Sequence, residues 1–156
     1  ENSSDKTYTR TKLVTSSAVR TRTALNKNGE EVKMELSIAT KEGAPLAVTA
    51  VRSKATHSLV AKTITSGTLV STRKSDGRVE SSFENLKMDF TSDKCELASG
   101  SITSSIYKEG SSEPVRVLKL TVENGDYTLM DITAGKEIED FEMTSCSIED
   151  FADSIE

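Results

Sequence analysis

Tryptophan is absent from this 156-residue chain, histidine occurs once, cysteine and proline twice each, and aromatic residues make up only 4%. Each shortage excludes something. Without Trp, and with only three Tyr and four Phe, the chain lacks the aromatic platforms that sugar-processing clefts use. Glycan hydrolysis is therefore not expected, although a carboxylate pair of the glycosidase kind meets only in three dimensions. A Ser-His-Asp arrangement would have to use His57, the single histidine. It lies in a polar stretch, residues 53–58, with no G-x-S-x-G elbow, so a surface side chain is the plainer reading. One His and two Cys cannot build a zinc site unless carboxylates complete it. Calcium could be sought at Asp89 and Asp93, or at Glu137, Glu139 and Asp140. Neither group has the spacing and glycine of an EF-hand loop, and solvated acids explain both. The eight glycines are scattered one per turn, and no phosphate-cradling loop is formed. The expectation is a protein that is not an enzyme and needs no cofactor.

Long apolar runs are also missing, so no helical transmembrane segment is expected. Net charge is −5, which argues against binding the phosphate backbone of nucleic acid. Hydrophobic residues account for 35% and charged residues for 29%, but the segments between turns are too regular for disorder.

What the chain does have is alternation. From Thr7 to Leu25 the odd positions are Thr7, Thr9, Thr11, Leu13, Thr15, Ser17, Val19, Thr21, Thr23 and Leu25, and Arg10, Lys12, Arg20 and Arg22 fall on the even positions. A period of two with β-branched residues predicts a strand. Nineteen residues exceed an ordinary strand, so a bend near Ser16-Ser17 is expected. Asn28-Gly29 predicts a tight hairpin turn leading into Val32, Met34, Leu36 and Ile38 as a half-buried strand. Further strands are expected over 46–52, 59–65 and 68–72, with Gly67 marking a bend. In residues 79–90 the apolar phase shifts from odd (Val79, Phe83) to even (Leu86, Met88, Phe90), which predicts a bulge near Glu84-Asn85. Ile102 and Ile106 suggest a strand, Asn124-Gly125 a second tight hairpin, and residues 138–146 a last strand. Residues 1–6 read as a tail. Residues 147–156 read either as a short helix, with Ile148, Phe151, Ala152 and Ile155 on one stripe, or as an irregular end.

These segments add up to a single all-β domain over residues 7–146: an antiparallel β-sandwich or barrel of about nine to eleven strands, with a short C-terminal helix as one option. Cys95 and Cys146, the only cysteines, bracket the last strands without any metal-binding pattern. Joined, they would close a loop that stabilises by roughly 4 kcal/mol and would place the chain in an oxidising compartment. The chain starts at Glu1 rather than Met, from which processing after a secretory signal is expected.

Function is less legible. The expectation is an extracytoplasmic binding module, secreted, periplasmic or attached to the cell envelope in the manner of an adhesin, whose partner is a protein, a glycan or an envelope component. Its candidate surface is the first strand region: Thr7, Thr9, Thr11, Arg10, Lys12, Arg20 and Arg22. The plainer explanations are that threonine suits solvated strands and that edge cations block aggregation. Two alternatives stand beside it. One is a small apolar-ligand carrier with a lipocalin-like barrel interior, lined by Val32, Met34, Leu36, Ile38, Leu118, Leu120 and Met130. The other is a hydrolase that uses His57 beside a carboxylate and a hydroxyl.

Overall fold

The computed structural model describes residues 6–15, 17–73, 77–91, 94–141 and 146, and only the backbone of Arg20, Arg22, Ala24 and Met34. The described residues contain no helix. They form one antiparallel sheet of 11 strands that is not closed. The strands are β1 (Thr7–Val14), β2 (Ser17–Leu25), β3 (Glu31–Thr40), β4 (Leu46–Ser53), β5 (Leu59–Ser66), β6 (Thr68–Arg73), β7 (Gly77–Phe90), β8 (Cys95–Tyr107), β9 (Arg116–Glu123), β10 (Asp126–Asp131) and β11 (Lys136–Glu137).

The pairing is simpler than the strand count. β1 and β2 run along β4 and β3, which run along β5 and β6, which together run along β7. Each of the first three pairs is therefore one long run broken in the middle, and every run neighbours the next in sequence. The molecule is an up-and-down meander. The breaks line up across the sheet: the gap between the end of β1 and the start of β2, the 41–45 turn, Gly67, the bulge at Asn85, and Gly100. Gly67 (φ +119°), Asn85 (φ +48°) and Gly100 (φ +108°) all have left-handed backbone. At Gly100 a Cβ would run into the backbone of Asn85 and Leu86, so only glycine lets the two strands approach here. Strands on both sides of this line contribute to one buried cluster, Ile38 and Leu69 from one side and Val48 and Ile64 from the other.

Directly opposed residues in an antiparallel pair share a face, so the register identifies the core side. One row is Val48, Ile64 and Leu86. Another is Phe83, Ile102, Leu120 and Leu129. All seven belong to one buried cluster, in which Ile64 and Leu120 are fully covered. Polar groups inside are paired: the Ser81 and Ser104 hydroxyls lie 2.8 Å apart, and the buried Asp131 carboxylate accepts from the Arg116 guanidinium at 2.8 Å and the Ala134 amide at 2.9 Å.

Cys95 and Cys146 form a disulfide, with Cα atoms 5.7 Å apart. Both half-cystines pack on the core beside Ile138 and Phe141. The bends at Gly67 and Glu84-Asn85 fall where the sequence puts them, β1 and β2 are separate strands on either side of the expected Ser16-Ser17 bend, of which Ser16 lies outside the described residues, and Asn124-Gly125 makes the expected two-residue turn with φ of +53° and +86°. Two local expectations need correction. Asn28-Gly29 is not a two-residue turn, because strand pairing ends at Leu25 and Glu31. The Asn26 side chain accepts from the amides of Asn28 and Glu30 and organises a wider loop. Nor do residues 138–141 continue as a strand. β11 stops at Glu137, one further bond runs from Ile138 N to Leu129 O, and Ile138 and Phe141 then turn to the core. The rest of that expected strand, residues 142–145, and the expected terminal helix at 147–156 lie outside the described residues, as does most of the expected tail.

Candidate binding surface

β1 has eight residues and β2 nine. Each pairs on one side only: β1 with β4 and β2 with β3. Among the described residues nothing pairs with their other side. At the opposite end of the sheet the last strand has two residues, too short to template a partner. The long free edge is thus the one that carries the candidate residues Thr7, Thr9, Arg10, Thr11 and Lys12, all of them exposed.

The register divides these residues between two faces. Thr7, Thr9, Thr11 and Leu13 oppose Ser53, Val51, Thr49 and Ala47 on the outer face, where the Thr11 and Thr49 hydroxyls meet at 3.0 Å. Leu13, Val19 and Leu25 continue this face along the edge and are 71%, 63% and 70% exposed. They are the most exposed large hydrophobic side chains described, and all three lie on this one edge.

Tyr8, Arg10, Lys12 and Val14 oppose Arg52, Ala50, Val48 and Leu46, so they lie on the core face at its open end. The next strand adds Lys62, which pairs with Ala50 on one side and Met88 on the other. Arg10, Ala50, Lys62 and Met88 thus form one row, with Lys12 diagonal to Lys62. Burial pushes the Lys62 ammonium below the usual lysine range, and the nearby Lys12 charge lowers it further. Arg10, Lys12 and Lys62 take part in none of the ion pairs among the described residues, which join Lys41 and Arg78 to Glu80, Lys87 to Asp89, and Arg116 to Asp131. Arg52, at the end of the same face, donates to the His57 carbonyl at 2.9 Å rather than to a carboxylate.

Arg20 and Arg22 occupy β2 opposite Leu36 and Met34, and their side chains lie outside the described residues. The structure therefore brings Thr7, Thr9, Arg10, Thr11 and Lys12 onto one edge strand, but with threonines and cations on opposite faces. Sequence reading missed Lys62. Its signal was a lone cation in the apolar run Val60-Ala61-Lys62-Thr63-Ile64, at the phase of Ile64.

The other candidates do not gather. His57 is exposed in a turn, touching the Tyr8 ring edge-on at 6.3 Å. Asp89 is taken by Lys87 at 3.1 Å; Glu137, Glu139 and Asp140 are exposed; Asp93 lies outside the described residues. No group of three or more metal-ligating side chains occurs among the described residues. Of the carrier lining, Ile38, Leu118 and Leu120 are packed in the core while Val32 is 41% exposed, and the sheet is not closed. An open hollow of about 430 Å³ at the Asn124-Gly125 hairpin is lined by Thr121, Glu123, Asn124, Asp126 and Thr128, with no apolar wall for a ligand. No described helix is long and apolar enough to cross a membrane. No protein family, curated protein or solved structure matches the chain.

Proposed function

We propose that this protein is a non-enzymatic binding module that works outside the cytosol and makes contact through the β1–β2 edge. The observation that carries the reading is the edge itself. Among the described residues it combines unpaired strand backbone, three exposed large hydrophobic side chains on one face, and, on the other, cations that join none of the ion pairs. A long edge left uncovered is an aggregation hazard, and a physiological partner that covers it resolves that hazard. The disulfide supports the extracytoplasmic setting, since such bonds persist where the environment is oxidising. The bent, bridged meander then acts as a rigid mount for the edge.

The test is a binding panel probed with the native, disulfide-bonded protein: glycans, soluble envelope polymers, and extended synthetic peptides of both charges. At least one class should bind saturably and be displaced by the double substitution Leu13→Ser/Val19→Ser or Arg10→Ser/Lys12→Ser, with the β-sheet circular dichroism unchanged. Binding indifferent to both variants, or no binding to any class, overturns the proposal.

A further inference from the structure

The edge and its charges together specify a partner. We infer that β1 accepts an extended acidic peptide as an added strand, with carboxylates at alternate positions set over Arg10 and Lys12. This deepens the proposed function and rests on it.

Three observations converge. First, among the described residues the free side of β1 is unpaired over eight residues, and strand addition takes its affinity from main-chain hydrogen bonds along such an edge. Second, an added strand places every second side chain on the core face, directly beside Tyr8, Arg10, Lys12 and Val14. The sites flanking the two cations are aromatic and aliphatic, so the complementary strand reads apolar, acidic, acidic, apolar at alternate positions. Third, Arg10, Lys12 and Lys62 form a like-charged group whose third member is half-buried, with no carboxylate on that face of β1, β4 or β5. Asp89 and Glu96 on the neighbouring strands oppose Ala61 and each other on the outer face. Mutual repulsion within the group weakens when an anion arrives, whereas cross-strand like charges are destabilising.

The same logic excludes the simplest competitor. Two copies of this chain pairing β1 against β1 antiparallel, centred at Thr11, would set Arg10 of each against Lys12 of the other. Self-pairing in this register is repulsive, and an acidic strand is attractive.

The probes are capped nine-residue peptides labelled for fluorescence anisotropy: Thr-Val-Thr-Glu-Thr-Glu-Thr-Val-Thr, the same peptide with both Glu replaced by Lys, and an acidic version with Pro at alternate Thr positions. The acidic peptide should bind, more weakly as salt rises. Arg10→Ser/Lys12→Ser should weaken it about tenfold, the effect of losing two opposite-charge cross-strand pairs at ~0.7 kcal/mol each. Charge reversal, Arg10→Glu/Lys12→Glu, should transfer binding to the Lys peptide. The Pro peptide should not bind, since it cannot complete the ladder. Equal binding of Glu and Lys peptides, undiminished binding of the Pro peptide, or failure of the charge swap overturns the inference. If no peptide binds while another class on the panel engages the edge, the strand partner is wrong and the binding module stands.

Discussion

Opening the disulfide should destabilise the protein by about 4 kcal/mol without unfolding it. Cys95 and Cys146 are 51 residues apart, and the loop-closure entropy of a segment that size, taken from the unfolded ensemble, corresponds to roughly 4 kcal/mol at 25 °C. That is about a thousandfold in the folding equilibrium. Strand pairing gives no reason for the native form to change. β9 is held by β8 across eight paired positions from Ser99–Glu123 to Ile106–Arg116, and β10 is held by β9. The effect should therefore act mainly through the unfolded chain. Urea denaturation of Cys95→Ser/Cys146→Ser against the oxidised protein, followed by circular dichroism, measures it. With an m-value of about 2 kcal/mol/M, the midpoint should fall by roughly 2 M. A loss below about 1 kcal/mol would refute the reasoning, as would alkylation of free thiols in the native protein.

Four further outcomes follow from named groups. Gly100→Ala should destabilise by about 2 kcal/mol or more, because the backbone is left-handed and the new Cβ meets the backbone of Asn85 and Leu86; a urea midpoint within error of wild type contradicts this. Leu120→Ala, at a fully covered position, should lose about 2–5 kcal/mol in the same assay. Lys12→Ser should raise the Lys62 pKa in an NMR titration yet leave it depressed, since burial is the larger cause; no movement would separate the two groups. For stability against pH the signs differ. Lys62 has a lowered folded value, so stability should rise with pH between that value and the unfolded lysine value. Glu80, hydrogen-bonded by Lys41 and then Arg78, and Asp131, held by the Ala134 amide and then Arg116, are also lowered. Their contribution is present above the unfolded carboxylate value near 4 and is lost as pH falls below it toward the folded values. Thermal melts across both ranges, repeated with Asp131→Asn, read these slopes.

Much of the fold was legible because strand physics is local. A two-residue period shows up wherever one face is buried, and the phase reversal between Phe83 and Leu86 announces the bulge at Asn85 directly. The Asn26 loop was not legible in the same way. Its conformation is set by a side chain two positions before the Asn-Gly pair, and that pair alone reads as a tight turn. The end of β11 depends on Ile138 and Phe141 finding the core, a tertiary contact that no local pattern contains. At the candidate surface, strand alternation already separated threonines from cations on β1. It did not reveal which face looks toward the core, because that is fixed by pairing with Leu46 and Val48 on a strand over thirty residues away. Lys62 joins Arg10 and Lys12 only through two successive registers, so its membership was invisible until the sheet was assembled.

If β1 accepts an acidic strand, as proposed, the added ladder must protect its backbone amides. Amide hydrogen exchange with and without the Glu peptide tests it most directly. Exchange should slow at residues 7–14 and change little in β9 and β10. Unchanged β1 amides under saturating peptide, or protection confined to another part of the sheet, would contradict it.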